Sequence, residues 1–242
     1  MFSRRNGGFF LLPSPDLDNK TSDYKIIRAD SRLDDRLDVV LDAKIAPYRA
    51  VVEEYMNKPV GKTAMAFGKD SDELLNFVAD FIRDRGKELN RNVDFGLINK
   101  GGIRRGLPKG TVTQGQIQTM LPFNNKVVVL EILGKDIIDA FEVMAMSDGN
   151  GVSDEVRVLY SDQIINATVN GKPVDPEKTY TVATIDYLAN GGDYFTSLKN
   201  GKWVAESPQI VYEDLLQMMT KGKYKGKKLK SQSVKRMTPF SE

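Results

Sequence analysis

The 242-residue sequence contains neither cysteine nor histidine. Without cysteine there are no disulfides and no thiol nucleophile, although compartment stays open because exported proteins also lack them. Without histidine, zinc and most transition-metal sites lose their commonest ligand, Ser-His nucleophilic catalysis is excluded, and the usual general base near neutral pH is missing. A metallohydrolase built from these residues alone would need an all-carboxylate site of the kind that suits magnesium or calcium. No apolar run approaches the ~20 residues that span a bilayer. Arg4 and Arg5 precede an apolar stretch at residues 9–12, shorter than the ~7–15 residue core of a signal peptide, so none is visible. An excess of either charge is also lacking: 35 Lys and Arg face 33 Asp and Glu, a formal net charge of only +2.

What is present, 40% hydrophobic and 28% charged residues, describes a globular chain long enough for one sizeable core. Residues 1–29 mix Gly, Pro, Ser, Asn and Asp without periodicity and are expected to be an irregular lead-in. Apolar residues then recur at Leu33, Leu37, Val40, Leu41, Ile45, Tyr48, Val52 and Tyr55, one face of an N-terminal helix over 30–58 that Pro47 should bend or interrupt. The remaining domain, 59–242, opens with a short apolar stretch at 63–67 suited to an edge strand. A helix follows, with Asp70 and Glu73 read as its capping box and Leu74, Leu75, Val78, Phe81 and Ile82 as its stripe.

Strands are predicted at 94–99, 126–133, 156–160, 164–169 and 180–184, with a turn at Asn170-Gly171. A loop carrying Pro108, Gly110, Gly115 and Pro122 separates the first two, and helices are expected after Gly134 and from Ser207-Pro208. Strands cluster rather than alternate with helices, which favours an α+β (mixed α/β) fold over a doubly wound sheet. Residues 221–236 hold eight basic side chains and no acidic one, read as a solvated terminal strand or tail; so small a net charge argues against nucleic acid as a partner.

Three segments carry the chemistry: residues 99–104, 122–125 and 186–193. A strand ending in Gly101-Gly102 lets backbone amides approach an anion, and Arg104 can fork onto phosphate oxygens. Phe123 and Tyr187 lie in turn-rich contexts where large rings are not needed for packing, and two facing rings would sandwich a base. Asp193 can accept hydrogen bonds from vicinal ribose hydroxyls, and the Asn125 amide can read a base edge.

Taken in order, Leu74 to Asp80, Asn99 to Arg104, Leu121 to Asn125 and Tyr187 to Asp193 resemble four motifs of the C-terminal, substrate-binding domain of the 5′-nucleotidases, the group that includes bacterial UDP-sugar hydrolases. The resemblance runs from about Tyr48 to Phe240. It implies a four-layer α/β fold, a phosphate on Arg104, a base between Phe123 and Tyr187, a ribose on Asp193, and polar contacts from Asn99 and Asn125. It also implies that catalysis, with its divalent metals, belongs to a metallophosphatase domain with no counterpart in this sequence. This chain is therefore expected to hold no catalytic residue, metal or cofactor of its own. It would position nucleoside monophosphates for a separately encoded metallophosphatase, with the 30–56 helix nominated for docking. A non-catalytic nucleotide or nucleoside binding module is the alternative.

Periplasm or cell surface follows from the resemblance alone. Four departures stand out: Lys69-Asp70 where the family usually places a further arginine, Lys100 for the first of three glycines, Tyr187 for phenylalanine, and Tyr194 for a glycine. Lys100 would either add charge near phosphate or disturb the backbone cradle.

Overall fold

The computed structural model describes residues 9–16, 21–28 and 39–240, which divide into two units, Met1–Glu54 and Tyr55–Glu242. In the first unit the expected irregular lead-in is instead a hairpin. Strand β1 (Phe9–Asp16) pairs antiparallel with β2 (Thr21–Arg28), Phe9 opposite Arg28 and Asp16 opposite Thr21. β1 contains Pro13 and Pro15, and a two-stranded ribbon leaves one edge of each strand open, where a missing N–H is tolerated. Helix α1 (Val39–Asn57) runs on through Pro47, so of the expected bend or interruption the interruption does not occur, and none of its residues is buried. Positions 30–38 of the predicted helix lie outside the described residues.

The second unit is built on a five-stranded sheet. Its members are β4 (Phe95–Ile98), β6 (Lys126–Leu133), β7 (Gly151–Val152), β11 (Thr179–Ile185) and β12 (Lys202–Ile210), in the order β12-β6-β11-β4-β7. β11 and β4 are parallel, and β6 lies antiparallel to both β11 and β12. The unbroken run of Val and Leu in β6 reflects its place inside this sheet: Val127, Val128, Val129 and Leu130 are all fully buried. Helix α2 (Asp72–Leu89) packs across the sheet on Leu74, Val78, Phe81 and Ile82, none of which is exposed. Its cap is Ser71, whose Oγ accepts from the Leu74 N–H at 3.3 Å, and not Asp70, which sits in a left-handed turn at φ 65°.

Strand β3 (Pro59–Thr63) precedes the stretch expected to be an edge strand, and Phe67 only bridges to Leu107. β3 lies between β13 (Lys228–Leu229) and β5 (Gly110–Thr113) in a three-stranded sheet. The loop expected between the glycine pair and β6 thus contains β5 and also helix α3 (Gln114–Met120). Thr113 and Gln116 form the reciprocal capping box of α3, a local signal that the loop expectation passed over.

Helix α4 (Gly134–Met146) touches both β6 and a second sheet made of β8 (Val156–Tyr160), β9 (Ile164–Val169), β10 (Lys172–Pro173) and β14 (Met237–Pro239). The short helix α5 (Asp186–Ala189) follows β11, and helix α6 (Val211–Thr220) follows β12. Ser207 and Pro208, predicted to start α6, belong to β12, where a register shift between Glu206 and Ile210 removes the need for a proline donor. The observed class is mixed α/β, with six helices among the described residues.

The basic segment 221–236 is not simply solvated. Arg236 is buried and makes a two-pronged ion pair with Asp80, both bonds 2.9 Å long. Lys223 Nζ and the Tyr224 hydroxyl reach Asp84 at 2.6 and 2.7 Å. Burial alone would raise the Asp84 carboxyl, but those two hydrogen bonds and the Arg83 charge outweigh it and hold the group below its ordinary value. Among the described residues no helix is long and apolar enough to cross a membrane.

Candidate functional site

The carboxyl ends of β4 and β11 lie side by side because these strands are parallel, so the segments that follow them emerge at one edge of the sheet. Residues after β4 form a short 3-10 turn, Lys100–Gly102, and residues after β11 form α5 and a second 3-10 turn, Gly192–Tyr194. The loop ahead of β6 comes to the same place, tied down where the Val211 N–H donates to Asn125 O at 2.8 Å. Asn99, Gly101, Gly102, Arg104, Phe123, Asn125, Tyr187 and Asp193 together line one open pocket of about 370 Å³.

The two rings are about half exposed, Phe123 at 45% and Tyr187 at 44%, and among the described residues they make no ring contact with each other. Such exposure of large rings around a concavity leaves aromatic surface available for stacking. Beneath Phe123, Ile98, Leu121, Ile185 and Val211 close the floor and leave a void of only about 10 Å³. Arg104 is held through its backbone, its N–H donating to Met120 O at 2.8 Å. Its exposed guanidinium has no ion pair or hydrogen bond among the described residues.

Asp193 anchors the opposite wall. Its Oδ2 accepts from Asn99 Nδ2 at 2.5 Å and its Oδ1 from the Tyr187 hydroxyl at 2.8 Å. The bond to Asp193 pushes the Tyr187 hydroxyl above its ordinary value, so it remains a donor. Gly192 makes this geometry possible, because a Cβ there would collide with the Tyr187 ring. Gly192 carried no role of its own in the motif as read from sequence; a glycine five residues after an exposed aromatic was the available signal. Asp193 and Tyr194 both adopt left-handed backbone, at φ 50° and 69°, so Tyr194 keeps the conformation a glycine would take more easily.

The amide cradle differs from its expectation. The Gly102 N–H donates to Asn99 O at 3.2 Å and so is not aimed at an anion. Gly102 serves by lacking a side chain, since a Cβ would meet the buried, unpartnered Asn99 Oδ1 at 2.8 Å. Lys100 takes neither of the two roles considered for it. Its Nζ donates to the carbonyls of Ser147 and Asp148 at 3.0 and 2.6 Å, placing its charge at the C-terminal end of α4 while the turn stays intact. Lys69 faces Asp70 at 3.8 Å and does not line the pocket.

Residues 54–200, more than half of the chain, match the family described as 5′-nucleotidase, C-terminal domain. The chain belongs to this family. Among curated relatives it is 34% identical over 112 residues to Protein UshA of Escherichia coli, covering 44% of this chain and 20% of that protein. It is 32% identical over 132 residues to the apyrase of Tabanus yao, covering 46% of this chain and 24% of the relative. Among solved structures, a 5′-nucleotidase precursor from Thermus thermophilus superposes with a TM-score of 0.72 at 22% identity, over 95% of this chain and 49% of its own. The chain thus spans a quarter or less of these curated relatives and about half of the solved structure.

Among the described residues of this 5′-nucleotidase C-terminal domain, none are grouped as a two-metal centre would require. The sequence has no histidine or cysteine, and among the described residues no group of three carboxylates is placed to hold a cation.

Proposed function

We propose that the pocket binds a nucleoside monophosphate, and that the chain is the substrate-positioning half of a 5′-nucleotidase. The observation that carries this reading is the division of chemistry within one cavity: two half-exposed rings, a guanidinium without a partner among the described residues, and a carboxylate acceptor. A base inserted between Phe123 and Tyr187 stacks on both faces, with the Asn125 amide available to its edge. Asp193 faces the ribose with its carboxylate oriented by the buried Asn99 amide, and Arg104 takes the phosphate in a forked, charge-assisted pair. These residues bind and orient; hydrolysis and its divalent metals are assigned to a metallophosphatase unit outside these residues, expected from the sequence as a separate chain. Holding the phosphate still relative to such a unit is the rate-enhancing contribution open to this chain.

Calorimetric titration with AMP and with adenosine tests the reading. AMP is expected to bind at least about tenfold more tightly, roughly the strength of a hydrogen bond to a charged group. Arg104→Ala should remove that advantage and leave adenosine binding unchanged. If phosphate adds nothing, the site is a base-binding module and the positioning role falls. Phosphate release from AMP is expected only when a metallophosphatase is added; turnover by the metal-free chain alone would reject the division of labour.

A further inference from the structure

The site holds a polar contact that a base-and-phosphate reading does not use. Both oxygens of the Asp193 carboxylate are already engaged from inside the protein, Oδ2 by the Asn99 amide and Oδ1 by the Tyr187 hydroxyl. Tyr187 is also tied from the other side, because the Asp193 N–H donates to its oxygen at 3.2 Å. The ring end lies over Gly192, where no side chain could be accommodated, so the hydroxyl is directed at the carboxylate by the backbone beneath it. Yet Tyr187 and Asp193 both line the open pocket, and Tyr187 remains 44% exposed. The hydroxyl therefore occupies an acceptor that faces the ligand cavity.

We propose that Tyr187 sets sugar specificity by competing, through its hydroxyl, with ligand hydroxyls for the Asp193 carboxylate. This rests on the nucleotide reading above and deepens it. A sugar with vicinal hydroxyls entering the pocket must displace the tyrosine from Oδ1 or share that oxygen with it. The exchange trades one hydrogen bond to a charged acceptor for another, so the net gain from the sugar hydroxyls is small. A ligand lacking those hydroxyls leaves the Tyr187–Asp193 pair in place and loses little, because no buried charge is left bare. The consequence is a site that accepts ribonucleotides and deoxyribonucleotides with little discrimination, the ring of Tyr187 contributing stacking to both. Asn99 does not compete in the same way: it is buried, and its amide orients the carboxylate from behind.

The experiment is calorimetric titration of the wild-type chain and of Tyr187→Phe with AMP and with 2′,3′-dideoxy-AMP. The substitution keeps the ring on an exposed position, so the fold is retained and a melting curve checks it. The expected result is an AMP affinity at least about tenfold higher in Tyr187→Phe, the scale of one charge-assisted hydrogen bond no longer given up. The dideoxy ligand should bind the two proteins equally. Adding Asp193→Asn to Tyr187→Phe should abolish the newly gained preference for AMP, which a merely structural role for the tyrosine would not predict. An equal change for both nucleotides, or weaker AMP binding in Tyr187→Phe, overturns the proposal while leaving nucleotide binding intact. Failure of either nucleotide to bind any of the proteins rejects the underlying reading instead, and the proposal with it.

Discussion

Single side chains in the pocket carry distinct physical duties, and each can be removed separately. Phe123 packs only partly into the protein, so Phe123→Ala should leave the melting temperature nearly unchanged. It should weaken AMP by about 1–3 kcal/mol, the contribution of one stacked base, in the same titration. A large fall in stability with no change in binding would instead make the ring a core residue. Tyr194 presents the opposite case, with a side chain 87% exposed on a backbone at φ 69°. Tyr194→Gly should raise stability by about 0.5–1 kcal/mol in denaturant unfolding, because glycine adopts this conformation without a Cβ clash. The chemistry of these residues was legible from their types and neighbours. The Tyr187–Asp193 bond was not, because it requires Gly192 to bring the ring down onto a residue six positions on.

At the level of elements, α2 is held through its charged face as well as its apolar one. Asp80 and Asp84 receive Arg236, Lys223 and Tyr224 from the basic C-terminal segment, while Arg83 pairs with Glu155 at 2.9 Å. The Arg236 side chain is only 5% exposed and also donates to Val152 O at 2.9 Å. Arg236→Ala should therefore cost about 3 kcal/mol in chemical unfolding, as expected when one partner of a buried pair is lost. Lys230→Ala, by contrast, should be silent, since its side chain is exposed. The composition of 221–236 announced charge but not its destination: ion pairs between residues about 140–160 positions apart leave no local pattern. The strongly periodic helices and the Val-rich β6 were readable for the converse reason, being written in neighbouring residues. The hairpin of β1 and β2 escaped because its prolines obey an edge rule that only pairing reveals.

Across the whole molecule, buried carboxylates give stability an opposed pH dependence. Burial pushes Asp214 up to about 6, against the lowering pull of the Ser207 hydrogen bond and the nearby Arg85. Its folded value thus lies above the unfolded one, so its contribution is complete below about pH 4 and is lost as pH rises through about 6. Asp84 and Glu155 are lowered, so theirs is present above the ordinary carboxylate range and lost as pH falls through their depressed values. Asp214→Asn, which also gives up the 2.9 Å pair with Arg85, should consequently have a melting temperature that compares more favourably with wild type at about pH 7.5 than at about pH 4.5. An identical shift at both would show that the carboxyl is not held against ionisation.

Periodicity and side-chain chemistry are local properties, so the mixed α/β class, the helical stripes and the residue types of the pocket could be read along the chain. Folding in three dimensions was needed to bring eight residues from three separated segments into one cavity, to turn Lys100 toward α4 and away from the pocket, and to set Tyr187 on Asp193. The first of these follows from the pairing of β11 with β4 and with β6, long-range contacts that bring distant chain segments to the same sheet edge, the second from the carbonyls that end α4, and the third from the bare backbone of Gly192.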